Sequence, residues 1–336
     1  MNPGGWGAWD WPNAIPTHVV QRWTDMQAIA TLEQSAPPFW QAWQESALRD
    51  LAANAAQASG WWRRWLGASA GSLSLACLPL LPILSREDFR AAVESEGPLR
   101  MPAWHGTTSP KSTSGSSGMP VQLYLSSLSG RVVDSHYMQD HRRHGRDMRQ
   151  RLAALLQRFE PHPGLEHREL PGDPWQGISK TFARRVQRES LHEHALWLQR
   201  VNPAYLTTRP AVLDGLLDEI EGGVAAPAGL RQVLTVSETV VPALRERARR
   251  LLGATITDRY SCEEVGPIAL QCPVDETHYH VCVSNVVVGA MGDDQRLALA
   301  AMLRACISPE FDYELREVEA IAWAPGGKRQ DIVSLV

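Results

Sequence analysis

The chain has 336 residues, which is more than one hydrophobic core usually holds, so we expect two domains of unequal size. Hydrophobic residues make up 44% and charged residues 21% of the chain, a composition typical of globular proteins that excludes an intrinsically disordered chain. The formal net charge of −4 gives no indication of nucleic acid as a partner.

No segment has the pattern of a membrane span, a secretory signal or a disulfide framework. The longest apolar run, residues 73–84, is short and is interrupted by Pro79 and Pro82. Residues 1–6 lack the basic stretch and apolar core of a signal peptide. The five cysteines are an odd number and thinly spread. We therefore expect a cytoplasmic protein with no membrane span.

The first half of the chain predicts mainly helices. Residues 1–24 are rich in glycine and proline and are expected to form an irregular leader. Helical patterns follow from Met26 to Leu66, and Ser85, with an acid three residues later, is expected to cap a short helix. Residues 121–125 alternate apolar and polar side chains and predict a strand, and residues 130–158 predict one long helix.

The second half predicts alternating helices and strands. Residues 231–236 and 255–260 have strand patterns and flank a predicted helix over residues 241–252, which ends at Gly253. A strand–helix–strand unit of this kind favours a parallel sheet. The valine-rich residues 281–288 predict a further strand.

These elements predict an α/β fold with two domains. Residues 1–290 are expected to form a large N-terminal domain with mixed sheets and flanking helices. Residues 291–336 have the pattern of a helix, a strand, a glycine turn and a strand, and predict a reduced α+β C-terminal domain.

One loop has a composition suited to anion binding. It consists of small hydroxyl residues and two glycines: Thr113, Ser114, Gly115, Ser116, Ser117 and Gly118, followed by Met119 and Pro120. Such a backbone can bend close to an anion and offer it N–H and O–H donors. It is not the P-loop of nucleotidases, because no Gly-Lys-Ser/Thr follows. The composition also suits a flexible linker, but the position before an alternating strand favours a binding loop.

With this loop, the sequence resembles the AMP-forming (adenylate-forming) acyl ligases, and among them the phenylacetate–coenzyme A ligase-like branch that includes capsular polysaccharide biosynthesis proteins. Their phosphate loop reads Thr-Ser-Gly-Ser/Thr-Thr-Gly-x-Pro, and only Ser117 departs from it. Four further stretches are similar in the same order: residues 81–90, residues 202–213, Ser237-Glu238 in place of Gly-Glu, and residues 260–266 in place of Tyr-Gly-x-Thr-Glu-x-Gly. The resemblance covers roughly residues 30–290.

The resemblance implies a ligase that uses ATP to activate a carboxylic acid as an acyl-adenylate and transfers it to a thiol, amine or hydroxyl. The loop Thr113–Gly118 would donate to the phosphates, and Glu264 would hold Mg²⁺ as a hard oxygen ligand. Tyr260 would lie against adenine, and the remaining pocket residues would be Ser237, Glu238, Ser261, Cys262 and Glu263. Lys328, after Gly326-Gly327, is similar to the mobile C-terminal lysine that contacts the reacting carboxylate and α-phosphate.

The acid and the acceptor are less specified. Candidates to line the acid pocket are Trp104, His105 and Trp175. Coenzyme A or a carrier protein is the implied acceptor. The arginines around Arg142–Arg151 are either a solvated helix face or a dock for an acidic carrier or for coenzyme A phosphates.

Two departures from the family pattern leave a second reading open. The segment with the ribose-binding aspartate is missing after residues 286–290, and Glu263 replaces a threonine, which places a second carboxylate beside Glu264. The alternative is a non-adenylating descendant, which would serve as an acyl-binding scaffold, a partner protein or a transferase using a preactivated donor.

Cysteines and histidines near residue 280 also suggest a structural Zn²⁺ site. Cys272, His278, His280 and Cys282 have plausible ligand spacing, and some relatives carry zinc near this position. The alternative is that the cysteines are buried free thiols.

Overall fold

The structure is a computed structural model that describes residues 17–67, 71–96, 103–112, 122–157, 167–169, 181–288 and 297. The chain divides into two compact units, which are described separately below. The sheet unit comprises residues 1–29 and 134–258, and the hairpin unit comprises residues 30–133 and 259–336. The predicted C-terminal domain over residues 291–336 lies outside the described residues, except for residue 297.

Helices dominate the first part of the chain. They are α1 (Thr17–Glu33), α2 (Pro37–Ala58), α3 (Gly60–Leu66) and α4 (Arg86–Glu96), followed by the strands β1 (Thr108–Ser112) and β2 (Gln122–Ser126) and the helix α5 (Ser127–Arg143). The Ser85 hydroxyl accepts from the Asp88 backbone N–H at 3.0 Å, which confirms the predicted cap of α4.

Strands and helices alternate in the second part. The strands are β3 (Leu152–Leu156), β4 (Arg168–Glu169), β5 (Thr181–Arg185), β6 (Tyr205–Thr208), β7 (Gln232–Thr235), β8 (Thr255–Cys262), β9 (Gly266–Gln271) and β10 (Tyr279–Val281). The helices between them are α6 (Leu191–Val201), α7 (Pro210–Glu221) and α8 (Pro242–Leu252). The protein is therefore of the predicted α/β class.

The sheet unit is built on a mixed sheet with the strand order β4-β5-β3-β6-β7-β8. All neighbouring strands are parallel except β4, which is antiparallel to β5. The predicted strand–helix–strand unit is confirmed as β7–α8–β8, with Gly253 at φ 63° ending α8. Its core packs apolar helix faces onto the central strands and includes Leu155, Trp197, Leu206, Leu217 and Val233.

The hairpin unit contains two antiparallel arrangements of strands. In the first, β1 pairs with β2. In the second, residues 259–262 of β8 pair with β9, and β9 pairs with β10. Helices α2 and α3 contribute a small apolar core of Ala52, Ala56, Leu66 and Leu73. Among the described residues, no helix is both long enough and apolar enough to cross a membrane.

Two predictions in the first 160 residues are wrong. The irregular leader does not extend to residue 24, because α1 begins at Thr17, directly after the last proline. The long helix over residues 130–158 does not exist as predicted, because α5 ends at Arg143 and Gly145 adopts φ 59°. Leu152–Leu156 then forms β3, whose five side chains are all buried.

The predicted strand over residues 281–288 is also wrong, since β10 ends at Val281. The side-chain amide of Gln44 donates to the carbonyls of Val283 and Val286 at 2.8 and 3.1 Å. These two carbonyls are therefore bound to a helix side chain instead of a neighbouring strand.

Candidate functional site

The similarity to the family's Tyr-Gly-x-Thr-Glu-x-Gly motif falls on the hairpin between β8 and β9. Cys262 pairs with Gly266, and residues 263–265 form the turn between them. Glu263 and Glu264 are therefore exposed at the tip of a two-stranded arm. We refer to residues 263–265 as the acidic turn.

Gly266 and Asn285 fix the end of the acidic turn. Gly266 has φ 78°, and a Cβ at this position would lie 2.6 Å from the Val133 Cγ2 atom, so only glycine fits. The Asn285 side-chain amide donates to the carbonyls of Val265 and Pro267 at 2.8 and 2.7 Å. Sequence reasoning missed Asn285, and the only signal for it is an amide side chain inside a valine-rich run.

The acidic turn is joined to the β1–β2 hairpin by an ion pair. Lys111 Nζ lies 2.7 Å from Glu263 Oε2. Lys111 is on β1, and the last register pair of that hairpin is Ser112 with Gln122. The predicted phosphate loop, Thr113–Gly118, lies outside the described residues, but both strands that flank it are described. The ion pair therefore joins β1, the strand that precedes the predicted loop in sequence, to the turn that carries Glu264.

Glu264 interacts with the thiol two residues before it. Burial, together with a hydrogen bond from the thiol to the Glu264 carboxylate, raises the pKa of Cys262. Cys262 is therefore a neutral thiol near pH 7 and a poor nucleophile. The exposed Glu264 carboxylate suits Mg²⁺, which commonly binds one or two carboxylates together with substrate phosphates and water.

Two aromatic side chains predicted to contact ligands are accessible. Tyr260, on the part of β8 that belongs to the hairpin unit, is 53% exposed. Trp104 is 71% exposed and lies against His105, with 4.0 Å between the ring centroids. Trp175 and Lys328 lie outside the described residues.

Ser237 and Glu238 belong to the sheet unit and follow β7. Ser237 adopts φ 70°, which explains physically why glycine suits this position in the related motif. The Glu238 carboxylate accepts from the Ala211 backbone N–H at 2.9 Å, in the first turn of α7. Glu238 therefore has at least a capping role, because this N–H has no acceptor within the helix.

The strand register does not support the predicted zinc site. The backbone N–H of Cys272, directly after β9, donates to the His278 carbonyl, directly before β10. The backbone N–H of Cys282, directly after β10, donates to the carbonyl of Ile268, which lies four residues before Cys272. Four residues of a strand span about 13 Å, which is too far for two thiolates bound to one zinc ion about 2.3 Å away. Both cysteines are buried.

The arginines of residues 142–151 do not form one helix face. Arg146 lies beyond the end of α5 and is buried, with its guanidinium 2.7 Å from Asp140 and 2.7 Å from Gln232. Arg142 donates to Gln27, and Arg151 donates to the Val201 carbonyl. These contacts within the sheet unit argue against a common docking surface for an acidic carrier.

Solved structures of acyl-CoA ligases resemble the chain. An open conformation of 2-hydroxyisobutyryl-CoA ligase, in complex with 2-HIB-AMP and CoA, matches with a TM-score of 0.59 at 14% identity. That match covers 75% of this chain and 60% of the ligase. The chain shares the fold of this acyl-CoA ligase.

The same ligase in its thioesterification state gives a TM-score of 0.61 at 15% identity, with 75% of this chain and 55% of the ligase covered. Its postadenylation state, with 2-HIB-AMP, gives 0.58 at 15% identity, with 73% and 53% covered. The chain thus spans between 53% and 60% of the ligase's length in these three matches. No protein-family model and no curated protein matches the chain.

Proposed function

We propose that the protein uses ATP to activate a carboxylic acid as an acyl-adenylate and then transfers the acyl group to a thiol, amine or hydroxyl, with coenzyme A or a carrier thiol as the leading acceptor. The observation that carries this proposal is the ion pair between Lys111 and Glu263. It joins β1, the strand that precedes the predicted phosphate loop, to the acidic turn, although Lys111 and Glu263 are 152 residues apart in sequence. The fold shared with an acyl-CoA ligase supports it.

Different residues of the hairpin unit bind the phosphates, the adenine ring, the metal ion and the acid. The loop Thr113–Gly118 donates hydrogen bonds to the phosphates, and the exposed ring of Tyr260 stacks on adenine. Glu264 holds Mg²⁺, which neutralises charge on the phosphate oxygens when it is bound. Trp104, His105 and Trp175 contact the acid.

The remaining roles concern the second half of the chain. Ser237, Glu238, Ser261 and Cys262 line the nucleotide pocket, and Lys328 contributes its positive charge to the reacting carboxylate and α-phosphate. We also propose that residues 291–336 form a small C-terminal domain carrying this lysine, that the chain belongs to the phenylacetate–coenzyme A ligase-like branch, and that it acts in the cytoplasm in a biosynthetic pathway.

A non-adenylating descendant is the second candidate. The sequence runs from the valine-rich residues 281–288 into residues 291–336 without the related segment that carries a ribose-binding aspartate. In addition, Glu238 already accepts a hydrogen bond from the first turn of α7. Both observations favour a scaffold that binds an acyl group or a partner without ATP.

Calorimetry with ATP and Mg²⁺ separates the two candidates. We expect the wild-type protein to bind ATP and Glu264→Ala to lose detectable binding, because the metal loses its protein ligand. Glu94→Ala, an exposed acid on α4 in the same unit, is the matched control and should bind as wild type. Absence of binding at millimolar ATP would establish the non-adenylating candidate.

Pyrophosphate exchange with a panel of acids then tests the chemical step. Lys328→Ala should lower adenylate formation by roughly a hundredfold or more, the loss expected for one electrostatic contact to the transition state. Its affinity for ATP should change by less than about tenfold, since the loop and the metal carry nucleotide binding. Wild-type turnover in this variant would remove Lys328 from the mechanism.

A further inference from the structure

The acidic turn presents a difficulty for a site that binds a polyanion. Glu263 and Glu264 are adjacent, and only one carboxylate is needed to hold the metal. An unneutralised second carboxylate beside a triphosphate would repel it, because like charges at a partly screened site interact over several ångströms. The threonine that the related motif has in place of Glu263 carries no such charge.

Lys111 neutralises this second carboxylate. Its Nζ atom lies 2.7 Å from Glu263 Oε2, within the range of a charge-assisted hydrogen bond. The two side chains are 41% and 46% exposed. An ion pair with this exposure contributes little to folding stability, so stability alone does not account for the pair.

Both partners of the ion pair are held by regular backbone. Lys111 pairs with Leu123, a buried residue of β2, so its position on β1 is fixed by the hairpin ladder. Glu263 follows Cys262 at the end of β8, and the turn after it is held by the Asn285 amide through the Val265 carbonyl. The ion pair is therefore a preorganised link between two hairpins of the same unit.

We propose that Lys111 is a positioning residue that sets the affinity of this site for polyanionic nucleotides by neutralising Glu263. The proposal rests on the proposed function, since it concerns the same nucleotide site. Lys111 acts through Glu263, and the pair contributes no net charge to the site. The effect of breaking the pair should then scale with the charge of the ligand.

The test is a set of four variants titrated with ATP, AMP and adenosine in the presence of Mg²⁺. Lys111→Met leaves Glu263 unneutralised and should weaken ATP binding by about tenfold, which corresponds to about 1.4 kcal/mol. It should weaken AMP binding to a similar extent and leave adenosine binding unchanged, because Mg·ATP and AMP each carry about two negative charges and adenosine carries none. Lys111→Arg keeps the positive charge and should bind ATP as wild type does.

Removing the acid gives the opposite result. Glu263→Gln should tighten ATP binding by about threefold, because a positive charge is then left over beside the phosphates. The double variant Lys111→Met/Glu263→Gln again has no net charge and should return to within about threefold of the wild-type affinity. If Lys111→Met does not fold, Glu263→Gln alone still tests the proposal through ATP and adenosine.

The outcomes separate the failure of this proposal from that of the proposed function. A wild-type protein that binds no ATP overturns both. If wild type binds ATP and Glu264→Ala does not, but Lys111→Met binds as wild type, only the role of Lys111 is overturned. Equal weakening in Lys111→Met and in the double variant would mean that Lys111 contacts the ligand directly, which also overturns the role through Glu263. Equal weakening for ATP and adenosine would indicate a structural defect and overturn it too.

Discussion

The Cys262 thiol reports on the charge of Glu264. Burial is the main cause of its raised pKa, and the hydrogen bond to Glu264 and the negative charge of that carboxylate add to it. Only the thiolate reacts with alkylating agents, so a raised pKa lowers the alkylation rate at any pH below it. We therefore predict that Glu264→Gln, which removes the charge, increases alkylation of Cys262 severalfold at pH 7.5.

The measurement is the rate of iodoacetamide labelling of Cys262 by peptide mass spectrometry between pH 6.5 and 9.5. In Glu264→Gln the rate profile should shift to lower pH. Cys77, a half-buried cysteine distant in sequence, serves as the internal control, and its rate should not change. An unchanged Cys262 profile would show that Glu264 does not influence the thiol and would argue against the contact between them.

At the scale of single residues, the sequence identifies which residues are candidates for the site better than it identifies their backbone conformations and hydrogen bonds. The order of the motifs identifies Glu263 and Glu264 as candidate site residues, but it does not show that they lie in the turn between β8 and β9. It does not show that Ser237 adopts φ 70°, nor that Glu238 bonds to Ala211. These features depend on where the turn after β7 meets α7, and such long-range geometry leaves no local pattern.

At the scale of elements, Gly266 links the helix α5 to the acidic turn. Its φ of 78° costs a residue with a side chain about 1–2 kcal/mol, and a Cβ would also press on Val133 at 2.6 Å. We predict that Gly266→Ala lowers the free energy of unfolding by about 2 kcal/mol or more in urea denaturation. Adding Val133→Ala should relieve the clash but not the backbone strain, so stability should recover only in part.

Gly130→Ala provides a matched control, because Gly130 lies on the same helix α5 and a Cβ there would meet no atom within 4 Å. This variant should be stabilised by up to about 1 kcal/mol, as expected for alanine in place of glycine in a helix. A Gly266→Ala protein as stable as wild type would contradict the conformation assigned to the turn.

The elements that sequence reasoning missed have a common cause. The run Leu152–Leu156 is five residues long and wholly buried, and such a run has no periodicity that distinguishes a strand from a helix. Residues 282–288 include strand-forming valines, but the Gln44 side-chain amide donates to two of their backbone carbonyls. In a strand, these carbonyls would accept hydrogen bonds from a neighbouring strand. By contrast, β7–α8–β8 was predictable because alternation, helix length and Gly253 agree.

For the whole molecule, the sequence predicts the α/β class and the likeness to adenylate-forming ligases, and the fold shared with an acyl-CoA ligase agrees with both. It does not predict the pairing of Lys111 with Glu263 or the anchoring of the acidic turn by Asn285. Both contacts join residues that are not neighbours in sequence, and neither Lys111 nor Asn285 lies in a motif. Candidate site residues could therefore be named from the sequence, whereas the contacts that hold the acidic turn could be found only in the structure.

The stability of the whole chain should fall in two steps as pH is lowered. Hydrogen bonds from Arg149 are the main cause that lowers the pKa of Asp147 to about 2. A carboxylate with a lowered pKa stabilises the folded state above its unfolded pKa, and this contribution is lost as pH falls from about 4 towards 2. Asp147 contributes to the lower of the two steps, together with the other carboxylates whose pKa is lowered, Glu193, Glu221 and Asp275.

The upper step belongs to two fully buried histidines, His194 of α6 and His136 of α5. Burial is the main cause that lowers the pKa of His136 to about 4. Burial is the main cause that lowers the pKa of His194, and the hydrogen bond to the Val186 carbonyl opposes it. The charge of Arg184 lowers this pKa further, against smaller opposing effects of Glu189 and Glu193. With Nε2 donating to the Val186 carbonyl at 3.0 Å, Nδ1 has no hydrogen-bond partner, so a proton there would be a buried charge without an acceptor.

Because the unfolded chain takes up this proton below about pH 6.5 and the folded chain resists it, His194 should make stability decline as pH falls below about 6.5. His194→Gln keeps a donor for the Val186 carbonyl but cannot titrate, so its thermal midpoint should be lower at pH 7 and should decline less steeply than in wild type as pH falls. The decline that remains belongs to His136, which still titrates. His192→Gln, an exposed histidine on the same helix, should retain the wild-type decline. A decline in His194→Gln as steep as in wild type would assign the upper step to another group.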